Sequence, residues 1–111
     1  MINRGEIYWV NLNPTIGSEI KKTRPALVIS NDINNLHAQT ITVLPMTTAT
    51  NKVYPFDVLI KTGAYGNQEP SKVKANQIRT VDKRRLGKLL GMLPADIMGQ
   101  VEKALRLHLG I

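Results

Sequence analysis

Cysteine is absent from this chain of 111 residues. That excludes disulfides, thiolate nucleophiles and Cys-ligated zinc, and it suits a reducing compartment. Histidine occurs twice, as His37 and His108. Neither belongs to a His-x-x-x-His pair, and the carboxylates do not cluster, so a metal site has little support and no cofactor is expected. Glycine-rich phosphate loops of the P-loop or dinucleotide type are missing, as is a nucleophile elbow. No apolar run approaches the ~20 residues that span a membrane. The opening Met1-Ile2-Asn3-Arg4-Gly5-Glu6 has no apolar core of a signal peptide, and a cytoplasmic protein is expected. Aromatic residues number only five. Base stacking is therefore a limited resource, and Tyr8 and Trp9 are expected to be core or dimer contacts rather than stacking platforms.

What the chain does have is positive charge, and that charge is concentrated. The net charge is +7. Residues 71–88 hold Lys72, Lys74, Arg79, Lys83, Arg84, Arg85 and Lys88 against the single acid Asp82, which leaves only one net charge for the rest of the chain. So local a block suggests either a polyanion site or a solvated basic face. The length fits one domain covering residues 1–111, enough for one core.

Five strands are expected. The first runs through Ile7-Tyr8-Trp9-Val10-Asn11-Leu12 and ends at Asn13-Pro14. The second spans about Ala26 to Ser30. The third, Thr40 to Leu44, is β-branched and stops near Pro45. The fourth is Phe56 to Ile60, and the fifth runs from Lys72 to Thr80. Residues 61–71 read as a loop. Asp82 is placed to cap a short helix containing Leu86, Leu89 and Leu90, with Gly91 as its stop. A firmer helix begins near Pro94 and Asp96, with Ile97, Val101, Ala104, Leu105 and His108 on one stripe. Five short strands and one closing helix predict a mainly β fold: a small, partly open β-barrel with helical additions.

The chemistry is carried by few residues. His37 lies in a polar stretch and His108 on the apolar stripe, so neither is an obvious acid–base group. Arg24 stands directly before Pro25 and the apolar run Ala26-Leu27-Val28-Ile29, after a turn-rich stretch that includes Ser18 and Glu19. A guanidinium there is braced by a strand and faces a loop, which suits it to a phosphate or a carboxylate. Its other natural role is an ion pair with Glu19. Thr47 and Thr48 follow the third strand; a hydroxyl there can also simply satisfy a turn. An arginine and a hydroxyl suffice for one metal-free reaction. In RNA the 2′-hydroxyl attacks its own phosphate, and the protein need only orient it and stabilise the developing charge.

Six segments in order carry a resemblance. They are Arg4-Gly5-Glu6-Ile7-Tyr8-Trp9-Val10, Asn13-Pro14-Thr15-Ile16-Gly17-Ser18-Glu19 and Arg24-Pro25-Ala26-Leu27-Val28-Ile29-Ser30, then Leu44-Pro45-Met46-Thr47-Thr48, Tyr54-Pro55-Phe56-Asp57-Val58 and Gln77-Ile78-Arg79-Thr80-Val81-Asp82. With them the chain resembles the MazF/PemK (Kid) family of toxin endoribonucleases from type II toxin–antitoxin systems. The resemblance implies an SH3-like, PemK-type barrel built as a homodimer. It implies metal-independent, sequence-specific cleavage of single-stranded RNA to 2′,3′-cyclic phosphate and 5′-hydroxyl ends. A MazE-like antitoxin with an acidic, disordered tail would neutralise it.

By position, Arg24 matches the family's catalytic arginine and Thr47 its catalytic threonine. Ser18, Glu19, Asn31, Thr48, Lys72, Lys74 and Gln77 are the expected RNA contacts, although Gln77 also reads as an ordinary outward strand residue. The PemK/Kid branch carries an arginine and an aspartate where this chain has Lys74 and Asn76, so the Arg/Thr pair is the better template. The general base stays open: charged arginine cannot accept a proton, and pairing with Arg24 would weaken Glu19 in that role. Two other functions remain. A CcdB-like gyrase poison would share the fold, but this chain ends Leu109-Gly110-Ile111 without that family's tryptophan. A non-catalytic nucleic-acid-binding barrel explains the basic block but not Arg24 with Thr47.

Overall fold

Three consecutive strands carry the interior on both of their faces. In the computed structural model, which describes residues 1–111, β1 (Glu6–Asn11), β2 (Thr23–Val28) and β3 (Thr40–Thr47) lie side by side and antiparallel. One face places Ile7, Leu27, Leu44 and Met46 in a core completed by Met98, Val101 and Ala104. The other buries Tyr8, Val10, Leu12, Ala26, Val28, Ile41 and Val43 with Val81. Side chains alternate across a strand, so burial on both sides demands unbroken apolar runs, and these are the runs visible in the sequence. Each fully buried aliphatic contributes roughly 1.5–3 kcal/mol relative to exposure.

Around this centre the strand order is β4 (Asp57–Ile60), β5 (Ser71–Lys74), β3, β2, β1 and β7 (Leu86–Met92), with β6 (Arg79–Asp82) also on β3. The result is the expected mainly β fold, a seven-stranded, open antiparallel sheet with a C-terminal helix. That helix, α2 (Ala95–Leu109), buries Met98, Val101 and Ala104. It ends at Gly110, whose φ of 72° takes the left-handed conformation that a helix terminus favours. No helix is long and apolar enough to cross a membrane.

Several expectations are corrected. There are seven strands, not five. β3 continues through Pro45 to Thr47 because one flank changes partner there. β6 pairs Thr40 to Val43, β5 pairs Met46 and Thr47, and Pro45 falls in the gap where the lost N–H costs little. The same change of partner breaks the expected strand 72–80 into β5, a 3₁₀ turn over Ala75–Gln77, and β6. Asp82 does cap, but only a 3₁₀ turn, Lys83–Arg85. Leu86 to Leu90 form strand β7 rather than a helix. Gly87 and Gly91 disfavour helix, and β7 follows β1 with register shifts that blur its alternation. A short helix, α1 (Asp32–His37), occupies the stretch read as polar loop. His108 is exposed, beyond the last buried turn of α2.

Candidate active site

β2 and β3 set Arg24 beside Thr47. Their register pairs Ala26 with Pro45, Leu27 with Leu44 and Val28 with Val43; continued two residues further, it sets Arg24 across from Thr47. Both line one cleft of about 130 Å³, together with Trp9, Pro25, Met46, Thr48, Tyr65 and Ser71. Arg24 is half-buried and forms no ion pair with Glu19. Its Nε donates to the Lys21 carbonyl at 3.2 Å, which fixes the side chain against the loop that precedes β2. The two terminal nitrogens of the fork hold no protein acceptor. Thr47 Oγ1 accepts from the Ala49 amide at 3.2 Å, so its hydroxyl proton is left to donate. No carboxylate or imidazole lines the cleft, and nowhere do three metal-ligating side chains converge.

The 13–22 loop beside Arg24 is latched by side chains from residues 77–85. Gln77 accepts from the Ile20 amide at 3.1 Å and donates to the Ser18 carbonyl at 3.2 Å. Arg79 donates to the Leu12 carbonyl at 2.7 Å, and Arg85 donates to the Asn11 and Asn13 carbonyls. Glu19 turns back to accept from the Ile16 amide at 2.8 Å. Ser18 and Glu19 are exposed on this loop.

The basic block is therefore not one continuous surface. Lys72 is 6% exposed; its ammonium lies 3.5 Å from Asp57 and donates to the Lys52 carbonyl. Lys74 stands 3.1 Å from the other Asp57 oxygen and over the Phe56 ring. Although Lys72 pairs with Thr47 in register, both lysines, expected as RNA contacts, turn to Asp57. Asp57 also accepts from the Tyr54 amide at 2.9 Å and so gathers in the 48–56 segment. Arg84 is paired with Asp82 at 3.0 Å. The side-chain and backbone hydrogen bonds from Arg84 hold the Asp82 carboxyl below the usual carboxylate range.

Asn31 is not in the cleft. Its side chain accepts from the Asn34 amide at 2.8 Å and caps α1, beside a separate depression lined by Ser30 and Thr42. Asn76, at the departure from the PemK/Kid pattern, buries its side-chain oxygen without a partner. His37 is exposed at the end of α1. Tyr65 was not anticipated at the cleft. It arrives there from the 61–71 loop, and only the glycine at 91 hints at the close approach that allows it. A Cβ at Gly91 would lie 2.6 Å from the Tyr65 carbonyl oxygen.

An open β-sheet closed by one helix, with an arginine–threonine cleft at the end of its central strands, is the framework of a small toxin of the type II toxin–antitoxin class. Residues 3–109 match the family described as PemK-like, MazF-like toxin of type II toxin-antitoxin system, and the chain belongs to that family. It is 42% identical over 116 residues to the endoribonuclease MazF9 of Mycobacterium tuberculosis, covering all of this chain and 98% of that one. MazF from Deinococcus radiodurans superposes with a TM-score of 0.87 at 31% identity, over 99% of this chain and 97% of that one. A MazE-MazF complex from the same organism gives 0.78 at 28% identity, over 99% of this chain and 96% of that one.

Proposed function

We propose that this chain is the toxin of a toxin–antitoxin pair and an endoribonuclease that cuts single-stranded RNA without a metal ion. The observation that carries this reading is the convergence of Arg24 and Thr47 in one cleft, with a free guanidinium fork and a free hydroxyl proton. The substrate's 2′-oxygen attacks the adjacent phosphorus, the bond from phosphorus to the 5′-oxygen breaks, and a 2′,3′-cyclic phosphate and a 5′-hydroxyl result. Arg24 clamps the non-bridging oxygens and Thr47 donates to them as charge develops. With no carboxylate or imidazole at hand, the proton lost by the 2′-oxygen and the proton gained by the 5′-oxygen balance through water.

RNA contacts are assigned to Ser18 and Glu19 on the latched loop and to Thr48 at the cleft, with Asn31 reached from its separate position at the start of α1. Lys72, Lys74 and Gln77 are assigned to holding the two loops. The functional unit is a homodimer, and the partner is a cognate antitoxin of the MazE kind, whose acidic tail suits a chain of net charge +7. The test incubates the protein in EDTA with an RNA and its all-deoxy counterpart. Cleavage of the RNA alone, with cyclic phosphate ends, is expected. Scission of both strands, or of neither across varied sequences, would refute it.

A further inference from the structure

The phosphate cleft does not end at Thr47. Its far wall, made by Trp9, Pro25 and Tyr65, is also the near wall of a second cavity of about 230 Å³, completed by Gly66, Asn67 and Leu90. The two cavities share three lining residues and so adjoin one another. The shared wall is mostly aromatic. Trp9 is 38% exposed, unlike its neighbour Tyr8, which is buried in the core and donates to Glu6.

The second aromatic is held in place before any ligand arrives. Tyr65 N–H donates to the Asn67 side chain at 3.3 Å, and the Asn67 amide donates to the Lys61 and Glu69 carbonyls at 3.1 and 2.7 Å. Gly63 N–H closes the same loop on the Asn67 carbonyl at 2.9 Å. Gly91 lets the loop lie directly on β7, since any side chain there would strike the Tyr65 backbone. A preformed wall spends no ordering free energy on binding.

We infer that the cavity bounded by Trp9, Pro25 and Tyr65 is a stacking site for one unpaired nucleobase, adjoining the phosphate held at Arg24. This rests on the nuclease reading above and names where that substrate's neighbouring base goes. The Asn67 amide is consumed by its own loop, so the site grips the base through its π-face and reads its edge weakly. Sequence preference then comes from elsewhere in the groove. The five aromatics of the chain are thus used sparingly, with one tryptophan and one tyrosine at the point where a base must be anchored beside the reacting phosphate.

Trp9 is the only tryptophan, so the site carries its own reporter. The full-length protein is titrated with an all-deoxy strand of a sequence it cuts as RNA, and Trp9 emission is followed. Saturable quenching is expected. Trp9→Ala and Tyr65→Ala are expected to raise KM for RNA about tenfold or more with little change in kcat, and Trp9→Phe to recover most of the loss. Thermal unfolding of each variant checks that the fold is kept. Silent Trp9 emission at saturating strand, with an unchanged KM in Trp9→Ala, would overturn the base site while leaving the nuclease intact. Emission that shifts with protein concentration alone would overturn it too, by showing a second copy over Trp9. Quenching without any RNA scission would sink the nuclease reading and keep the base site.

Discussion

Arg24 and Thr47 face a common cleft from adjacent antiparallel strands, and neither is committed to a protein partner through the atoms that chemistry needs. In the proposed reaction the two act on the same phosphate, as one device. Arg24→Ala and Thr47→Ala are each expected to lower kcat about 100- to 1000-fold, the scale for losing one preorganised donor to a developing charge. The double variant should be less impaired than the product of the two. Single-turnover cleavage of a defined RNA measures this. Arg24 has no ion pair to lose, so the denaturation midpoint should stay near that of the wild type; Arg24→Lys should remain impaired because an ammonium lacks the fork.

Asp57 holds two ammonium groups in a site with little water. Its Oδ2 lies 3.5 Å from Lys72 and its Oδ1 3.1 Å from Lys74. Asp57→Ala leaves both cations buried without a counter-charge and is expected to cost about 3–5 kcal/mol, measured by denaturant unfolding. Lys72→Met is the informative companion. It keeps the stem's volume and leaves Asp57 paired with Lys74. The slope of log RNA affinity against log salt, measured on the folded protein, should stay unchanged. A lysine contacting phosphate would instead reduce that slope by nearly one.

These two sites show what the sequence could and could not disclose. Arg24 was legible because its strand context is local: a cation before Pro25 and an apolar run sits at a strand edge. β1, β2 and β3 were legible because strands buried on both faces must be apolar throughout. The direction of a lysine is not local. Lys72 and Lys74 read as RNA contacts, and the sequence does not show that β4, laid against β5, brings Asp57 between them. Tyr65 was illegible for the same reason, since its place depends on Gly91, a residue 26 positions away in sequence. β7 escaped because its two glycines and shifted register break the period by which strands are recognised. The six residues of α1 are too few to establish a period, although Asn31 as its cap and the polar run behind it carried the signal.

Gln77 and the 13–22 loop give a test that separates positioning from contact. The side chain accepts from Ile20 and donates to the Ser18 carbonyl. Gln77→Glu keeps the acceptor but sets an oxygen against the Ser18 carbonyl. The expected loss is about 1 kcal/mol of local stability. Without RNA present, trypsin should cut faster after Lys21 and Lys22, which lie in this loop. A Gln77 that serves RNA alone would leave that rate unchanged. Its variant would then differ from the wild type only once RNA is added.

The Tyr8–Glu6 hydrogen bond makes a share of the fold's stability depend on alkaline pH. The Tyr8 hydroxyl donates to the Glu6 carboxylate at 2.9 Å inside the sheet. Burial, then the hydrogen bond and charge of Glu6, push the Tyr8 phenol from 10.0 up to about 12. A folded state that holds this proton more tightly than the unfolded chain is stabilised by it. The contribution is fully present below pH 10 and is lost as pH rises through about 12. Stability should therefore fall between pH 10 and 12 in the wild type. Tyr8→Phe should remove that share of the fall, at a cost near neutral pH of roughly 1–3 kcal/mol, because Glu6 loses a donor in a buried place. Denaturant midpoints of both proteins, taken at intervals from pH 8 to about pH 12, decide it. Equal alkaline slopes in the two proteins would show that ionisation elsewhere governs the fall.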